Sequence, residues 1–97
     1  MKFLILSKLR QGAPAPKDRA ASVKAAKATI DRALKNGEFD CTFQRMTGGG
    51  VAIANANSAE ELWERLTTYP LYTQFEWHVE PLVDIGFVLT KAIGRLK

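Results

Sequence analysis

The chain of 97 residues has one cysteine, one histidine and four prolines, and each scarcity closes a class of function. With Cys41 alone there is no disulfide framework and no thiolate metal cluster, which fits a reducing, cytoplasmic setting. There is no Cys-x-x-Cys pair for a heavy-metal-binding domain. The N-terminal apolar run Phe3-Leu4-Ile5-Leu6 stops at Ser7-Lys8. It is shorter than the roughly 7–15 residues of a secretory h-region. Nothing approaches the ~18 apolar residues of a membrane span. The run Gly48-Gly49-Gly50 has no following Lys-Ser/Thr pair and no helix after it, which excludes a P-loop.

What is present is ordinary for one globular domain over 1–97: 46% hydrophobic and 25% charged residues, enough for a core with little margin. The net charge of +4 is unevenly spread. Residues 1–35 carry nine Lys/Arg against Asp18 and Asp31, a net of +7. Residues 36–84 carry Arg45 and Arg65 against eight carboxylates, a net of −6, and the remainder adds Lys91, Arg95 and Lys97. Such a basic segment is either a solvated helix face or a means of attracting an anion.

Periodicity then divides the chain. Residues 2–8 are a compact apolar run bounded by polar residues, the pattern of a buried strand. After a Gly/Pro loop, residues 17–36 are rich in good helix formers. Val23, Ala26, Ile30, Ala33 and Leu34 form an apolar stripe there, and Asn36-Gly37 is a helix stop. Residues 38–46 alternate, with Phe39, Cys41 and Phe43 expected on the core face and Asp40, Thr42 and Gln44 on the other. A glycine turn leads into Val51-Ala52-Ile53-Ala54, as in a hairpin. Ser58-Ala59-Glu60-Glu61 is a capping box opening a short helix that buries Leu62, Trp63 and Leu66. Residues 75–80 alternate again, with Phe75, Trp77 and Val79 inward and Glu76, His78 and Glu80 outward, and Pro81 is expected to end that strand. Beyond it, Leu82, Ile85, Leu89, Ala92, Ile93 and Leu96 recur at helical spacing, giving a C-terminal helix over about 83–96. Its narrow stripe suits packing on another subunit as well as on its own sheet.

The order β-α-β-β-α-β is the split βαβ, or ferredoxin-like, arrangement of the α+β class. One four-stranded antiparallel sheet would carry both helices on one face. The opposite face would mix the polar sets of the second and fourth strands with either Leu4 and Leu6 or Phe3 and Ile5. A mixed face suits a cavity closed by a second subunit. RNA-recognition domains share this element order but need aromatic stacking residues, and Val51-Ala52-Ile53-Ala54 has none, which argues against a nucleic-acid partner.

Ser58-Ala59-Glu60-Glu61-Leu62, Leu66, Tyr69-Pro70-Leu71-Tyr72 and Phe75-Glu76-Trp77-His78-Val79-Glu80-Pro81-Leu82 together resemble the muconolactone isomerase family. Gly37 through Arg45 is similar in kind, so the likeness covers roughly residues 37–82. It departs at Gly49-Gly50 and at His78, where the family has an acidic residue. The resemblance implies a dimeric α+β barrel or larger homo-oligomer, and an isomerase that moves a proton along a small lactone carboxylate without metal or organic cofactor. The same architecture hosts cofactor-free monooxygenases and polyketide cyclases, so fold alone does not choose the reaction.

The residues offer candidates for that chemistry. Histidine, with a usual pKa of about 6.5, is the natural proton shuttle near neutrality, and His78 is flanked by Glu76 and Glu80 on one strand face. Either carboxylate could orient the ring or be the base itself. Arg45 or Lys8 could hold a substrate anion, arginine through its planar fork. Gln44 and Tyr72 could hydrogen-bond a ligand. The competing expectation is a non-catalytic domain whose mixed face only forms a dimer or binds a small ligand.

Overall fold

A computed structural model describes residues 1–96. The elements run β1 (Lys2–Leu9), α1 (Arg19–Lys35), β2 (Phe39–Gln44), β3 (Gly50–Asn55), α2 (Ala59–Thr67), β4 (Phe75–Leu82) and α3 (Ile85–Leu96). A single 3-10 turn, Tyr72–Gln74, leads into β4. The four strands form one antiparallel sheet in the order β2-β3-β1-β4, the ferredoxin-like arrangement that the element order implied.

The helix ends follow side-chain chemistry. Asp18 caps α1 by accepting from the Ala21 amide at 3.0 Å, and Asn36 at the other end stops it ahead of Gly37 at φ +82°. Ser58 caps α2 by accepting from the Glu61 amide. Glu61 reaches back one residue further than a capping box requires, to the Asn57 amide at 2.8 Å. That bond, with the Arg65 guanidinium one turn along, holds the Glu61 carboxyl below its ordinary pKa.

Burial on β1 settles which set faces the helices. Phe3, Ile5 and Ser7 are buried, while Leu4 and Leu6 lie half-buried on the open face. The core is small: Phe3, Ile5, Ala52, Ala54, Ala56 and Leu62, with Phe39 and Trp77 packed against it. From α1 it receives only Ala26 and Ala33 as fully buried residues; Val23 and Leu34 of the expected stripe stay substantially exposed. Trp63, expected inside, is 64% exposed, because α2 presents Leu62 and Leu66 to the sheet instead.

Two expectations along the strands are corrected. β2 carries a bulge between Phe39 and Cys41: Phe39 pairs with Ala54 and Cys41 with Ile53. The extra residue, Asp40, reverses the parity that follows. Cys41 and Phe43 therefore lie on the open face with Ile53 and Val51, and Thr42 and Gln44 pair with Ala52 and Gly50 on the helix side. Asp40 holds the bulge in place. Its carboxylate bonds the Lys2 ammonium and accepts from the Asn55 amide at 2.7 Å, and these partners lower its pKa. Pro81 does not end β4, which continues to Leu82 with Pro81 opposite Phe3. β4 is the sheet edge, where a proline is tolerated.

The β2–β3 turn is folded down onto the end of β1. Gly48 donates to the Arg45 carbonyl at 3.0 Å and Arg45 to that of Gly49 at 2.9 Å. Gly49 has φ +80°, and a Cβ there would lie 2.0 Å from the Ser7 carbonyl oxygen. Only glycine satisfies both conditions. Gly49→Ala is expected to cost roughly 3 kcal/mol in urea unfolding, from backbone strain plus steric displacement of the turn, and Gly37→Ala only roughly 1 kcal/mol. Gly37 shares the positive φ but faces open space.

Candidate functional site

Between the sheet and the helix layer lies a cavity of about 370 Å³, within the range of roughly 300–1,000 Å³ typical of small-molecule sites. Its origin is legible in the strands. β3 turns Ala52 toward the helices and α1 contributes Ala33, so small side chains from both layers line it. The volume missing from those positions remains open toward the β2–β3 turn.

The aromatic wall comes from the segment joining α2 to β4. Trp77 stacks on Tyr72 with ring centroids 5.9 Å apart and 13° between planes, and takes Tyr69 and Phe75 edge-on. Its indole N–H donates to the Tyr72 carbonyl at 2.9 Å, which fixes the ring. Trp77, Phe75, Tyr69 and Phe39 all line the cavity.

Polar groups punctuate this apolar lining. Ser7 is buried, and its hydroxyl oxygen accepts from the Gly50 amide at 2.7 Å, which leaves its proton to donate. Thr42 donates to the Val51 carbonyl, and Gln44 reaches the wall because of the bulge. Tyr69 is half-buried, and desolvation raises its phenol pKa above the ordinary 10.0, so it stays a donor through the neutral range. Glu38 supplies a carboxylate, steadied by the Asn36 amide at 3.2 Å. Arg65 also touches the lining, but its guanidinium is bonded to the Asn55 carbonyl and to Glu61.

The residues singled out from the sequence divide between the two sides of the sheet. Lys8, Arg45, Glu76 and His78 come together around a shallow depression of about 260 Å³ that also touches Leu6. Lys8 pairs with Glu76 and Leu6 with His78 across β1 and β4. The Arg45 guanidinium donates to the Ser7 carbonyl at 3.3 Å. His78 Nε2 lies 3.4 Å from Glu80 Oε2, with both side chains largely exposed. Gln44 belongs to the helix-side cavity, and Tyr72 stands behind Trp77 as its stacking partner. Glu38, Ser7 and Tyr69 were not anticipated. Tyr69 could have been sought in the Tyr-Pro turn, whereas no local signal marks Glu38 or Ser7. Among the described residues, no three His, Cys, Asp or Glu side chains converge as a metal site, and no helix is long and apolar enough to cross a membrane.

No protein-family model and no curated protein matches this chain. Two of the solved structures that share its fold are enzymes. One is 5-chloro-2-hydroxyhydroquinone dehydrochlorinase from Burkholderia phenoliruptrix AC1100, solved in complex with 2,5-dihydroxybenzoquinone. It is 21% identical over 90% of this chain and 98% of its own, with a TM-score of 0.70. The other is muconolactone isomerase, 18% identical over 87% of this chain and 90% of its own, with a TM-score of 0.71. The four-stranded α+β fold is thus that of muconolactone isomerase, as the resemblance implied.

Because burial raises the Tyr69 pKa, the folded state binds that proton more tightly than the unfolded chain does. Its contribution to stability is complete below the ordinary value of 10.0 and is lost as pH rises through the folded value. An ultraviolet titration is expected to show a phenol ionising above 10.0 that Tyr69→Phe removes, together with a flatter loss of stability in alkali for that variant.

Proposed function

We propose that the chain is an isomerase-like enzyme that moves a proton on a small oxygenated ring compound, a lactone carboxylate or a quinol, held between its sheet and its helices. The observation that carries this is the cavity itself: apolar and aromatic walls interrupted by one carboxylate, one phenol and one free hydroxyl proton. The two structural neighbours, by their names an isomerase of a lactone and a dehydrochlorinase of a hydroxyhydroquinone, support the substrate class.

The chemistry follows from what each group can hold. Phe39, Phe75 and Trp77 offer faces for a ring. The Glu38 carboxylate takes a proton from a carbon beside a carbonyl. Charge then grows on the carbonyl oxygen, where the Tyr69 phenol or the Ser7 hydroxyl donates a hydrogen bond. Protonated Glu38 returns the proton at another carbon of the conjugated system. Gln44, at the wall, orients the polar edge of the ring.

A second possibility has its own observation. The grouping of Lys8, Arg45, Glu76 and His78 around the open-face depression, with Glu80 beside His78, favours acid–base chemistry at a site closed by a second subunit. There His78 with Glu76 or Glu80 moves the proton, and Arg45 or Lys8 holds the anion.

A thermal-shift panel of small lactones, carboxylates and quinols identifies the ligand class, and a purely structural domain would show no shift with any of them. With the stabilising compound as substrate, Glu38→Gln is expected to lower kcat/KM about a hundredfold or more and Tyr69→Phe about tenfold. His78→Ala should stay within about threefold of the parent on the usual acid–base scale. The reverse ranking assigns the reaction to the open face.

A further inference from the structure

The charge balance of the sheet–helix cavity turns on one arginine that is already engaged. Among the described residues that line the cavity, Arg65 is the one cation and Glu38 the one carboxylate. An arginine in such a wall is the natural partner of a ligand carboxylate, because its planar fork matches the two oxygens. Here both arms of the fork are taken. One terminal nitrogen donates to the Asn55 carbonyl, at the end of β3, at 2.6 Å. The other pairs with the Glu61 carboxylate one turn earlier on α2.

Glu61 is in turn fixed by the start of its helix. Its second oxygen accepts from the Asn57 amide at 2.8 Å, and its own amide donates to the Ser58 hydroxyl at 3.1 Å. The Asn57 amide, and then Arg65, hold its carboxyl below the ordinary carboxylate pKa, so the pair stays charged through the neutral range. To leave for a ligand, the guanidinium would abandon a carboxylate and a carbonyl at once. Glu38 has no such partner, since its oxygen is bonded to the neutral side-chain amide of Asn36. Lys8 and Arg45 belong to the depression on the opposite side of the sheet. The lining therefore offers an entering molecule one uncompensated negative charge and one cation already neutralised.

We infer that Glu61 determines specificity here: by neutralising Arg65 it makes the cavity take uncharged hydroxylated rings and reject rings that carry a carboxylate. Such selection rests on the reading of the cavity as a ring site, and narrows its substrate class from lactone carboxylates and quinols to quinols. A carboxylate moved into this lining gives up water, finds no free cation and meets Glu38 as a like charge. A quinol gives up no charge. Its hydroxyls can donate to Glu38 and accept from Tyr69 or Ser7. The aromatic walls serve both kinds of ring equally, so the carboxylate alone decides. Because the cavity is half-open, water screens part of the penalty, and discrimination of about tenfold is expected.

The test is an NMR titration of the full-length chain with hydroquinone and with 2,5-dihydroxybenzoate, which differ by one carboxylate. Binding is read at the Ala33 and Leu66 amides, whose residues line this cavity and not the open-face depression. The parent should bind hydroquinone more tightly by about tenfold or more. Glu61→Gln can still accept from the Asn57 amide but no longer cancels the charge of Arg65, and should cut that ratio about tenfold. Adding Arg65→Gln should restore the parent's ratio, because both charges of the pair are then gone. A purely structural role for Glu61 predicts no such return. Glu38→Gln lies outside the helices and should also cut the ratio, which keeps the test decisive if the α2 variants fail to fold. A parent that binds both rings alike, or a ratio unmoved by Glu61→Gln and Glu38→Gln, overturns the role of Glu61 and leaves the cavity a ring site. Binding of neither ring overturns the ring site itself, and the selection with it.

Discussion

The alternation of β3 is the constraint on which the rest of this structure turns. Val51 and Ile53 face one way and Ala52 and Ala54 the other, and the pairing with β1 aligns them with Leu4 and Leu6 on one side and with Phe3 and Ile5 on the other. The small side chains point at the helices, where a core would ordinarily be filled. The branched ones point away, where a two-layer fold has no partner layer. A cavity on the inside and an apolar surplus on the outside are two consequences of one register. A shift of one residue in that pairing would exchange them.

Two local devices extend the effect. The bulge at Asp40, secured by Lys2 and Asn55, turns Thr42 and Gln44 inward and Phe43 outward. Polar groups thereby reach the cavity wall from a strand whose apolar set would otherwise have filled it. At the far end of the sheet, Gly49 lets the β2–β3 turn rest on Ser7, and Gly50 occupies the acceptor side of the Ser7 hydroxyl. The buried hydroxyl is then oriented by the backbone and not by a neighbouring side chain, which leaves its proton free for something in the cavity.

One sheet therefore separates two chemically different places. The inner one is a half-open cleft, aromatic and sparsely polar, with a carboxylate, a phenol and a hydroxyl. The outer one is shallow and charged, with opposite signs facing each other across β1 and β4. Ser7 and Trp77 touch both. Greater shielding favours the inner place for chemistry, because partial removal from water strengthens each electrostatic interaction there. The outer place acquires the same property only when a second chain covers it.

Local pattern was sufficient for much of this. The alternation of residues 75–80, the stripe of α1, the Ser58 cap and the Asn36-Gly37 stop are written in neighbouring residues, because they depend on backbone geometry that repeats every two or 3.6 positions. Element order and fold class follow from them, and Lys8, Glu76 and His78 are found together because their strand parities agree, whereas Arg45 joins them only through the bulge. What the chain could not disclose locally is where parity breaks and which side of the sheet is hollow. The bulge exists because Lys2 and Asn55, distant in sequence, grip Asp40. The cavity is lined from both layers by small side chains, Ala52 of β3 and Ala33 of α1. Glu38, Ser7 and Tyr69 share that space through packing, so their association belongs to the tertiary structure, as does the exposure of a helix whose stripe is plain in the sequence.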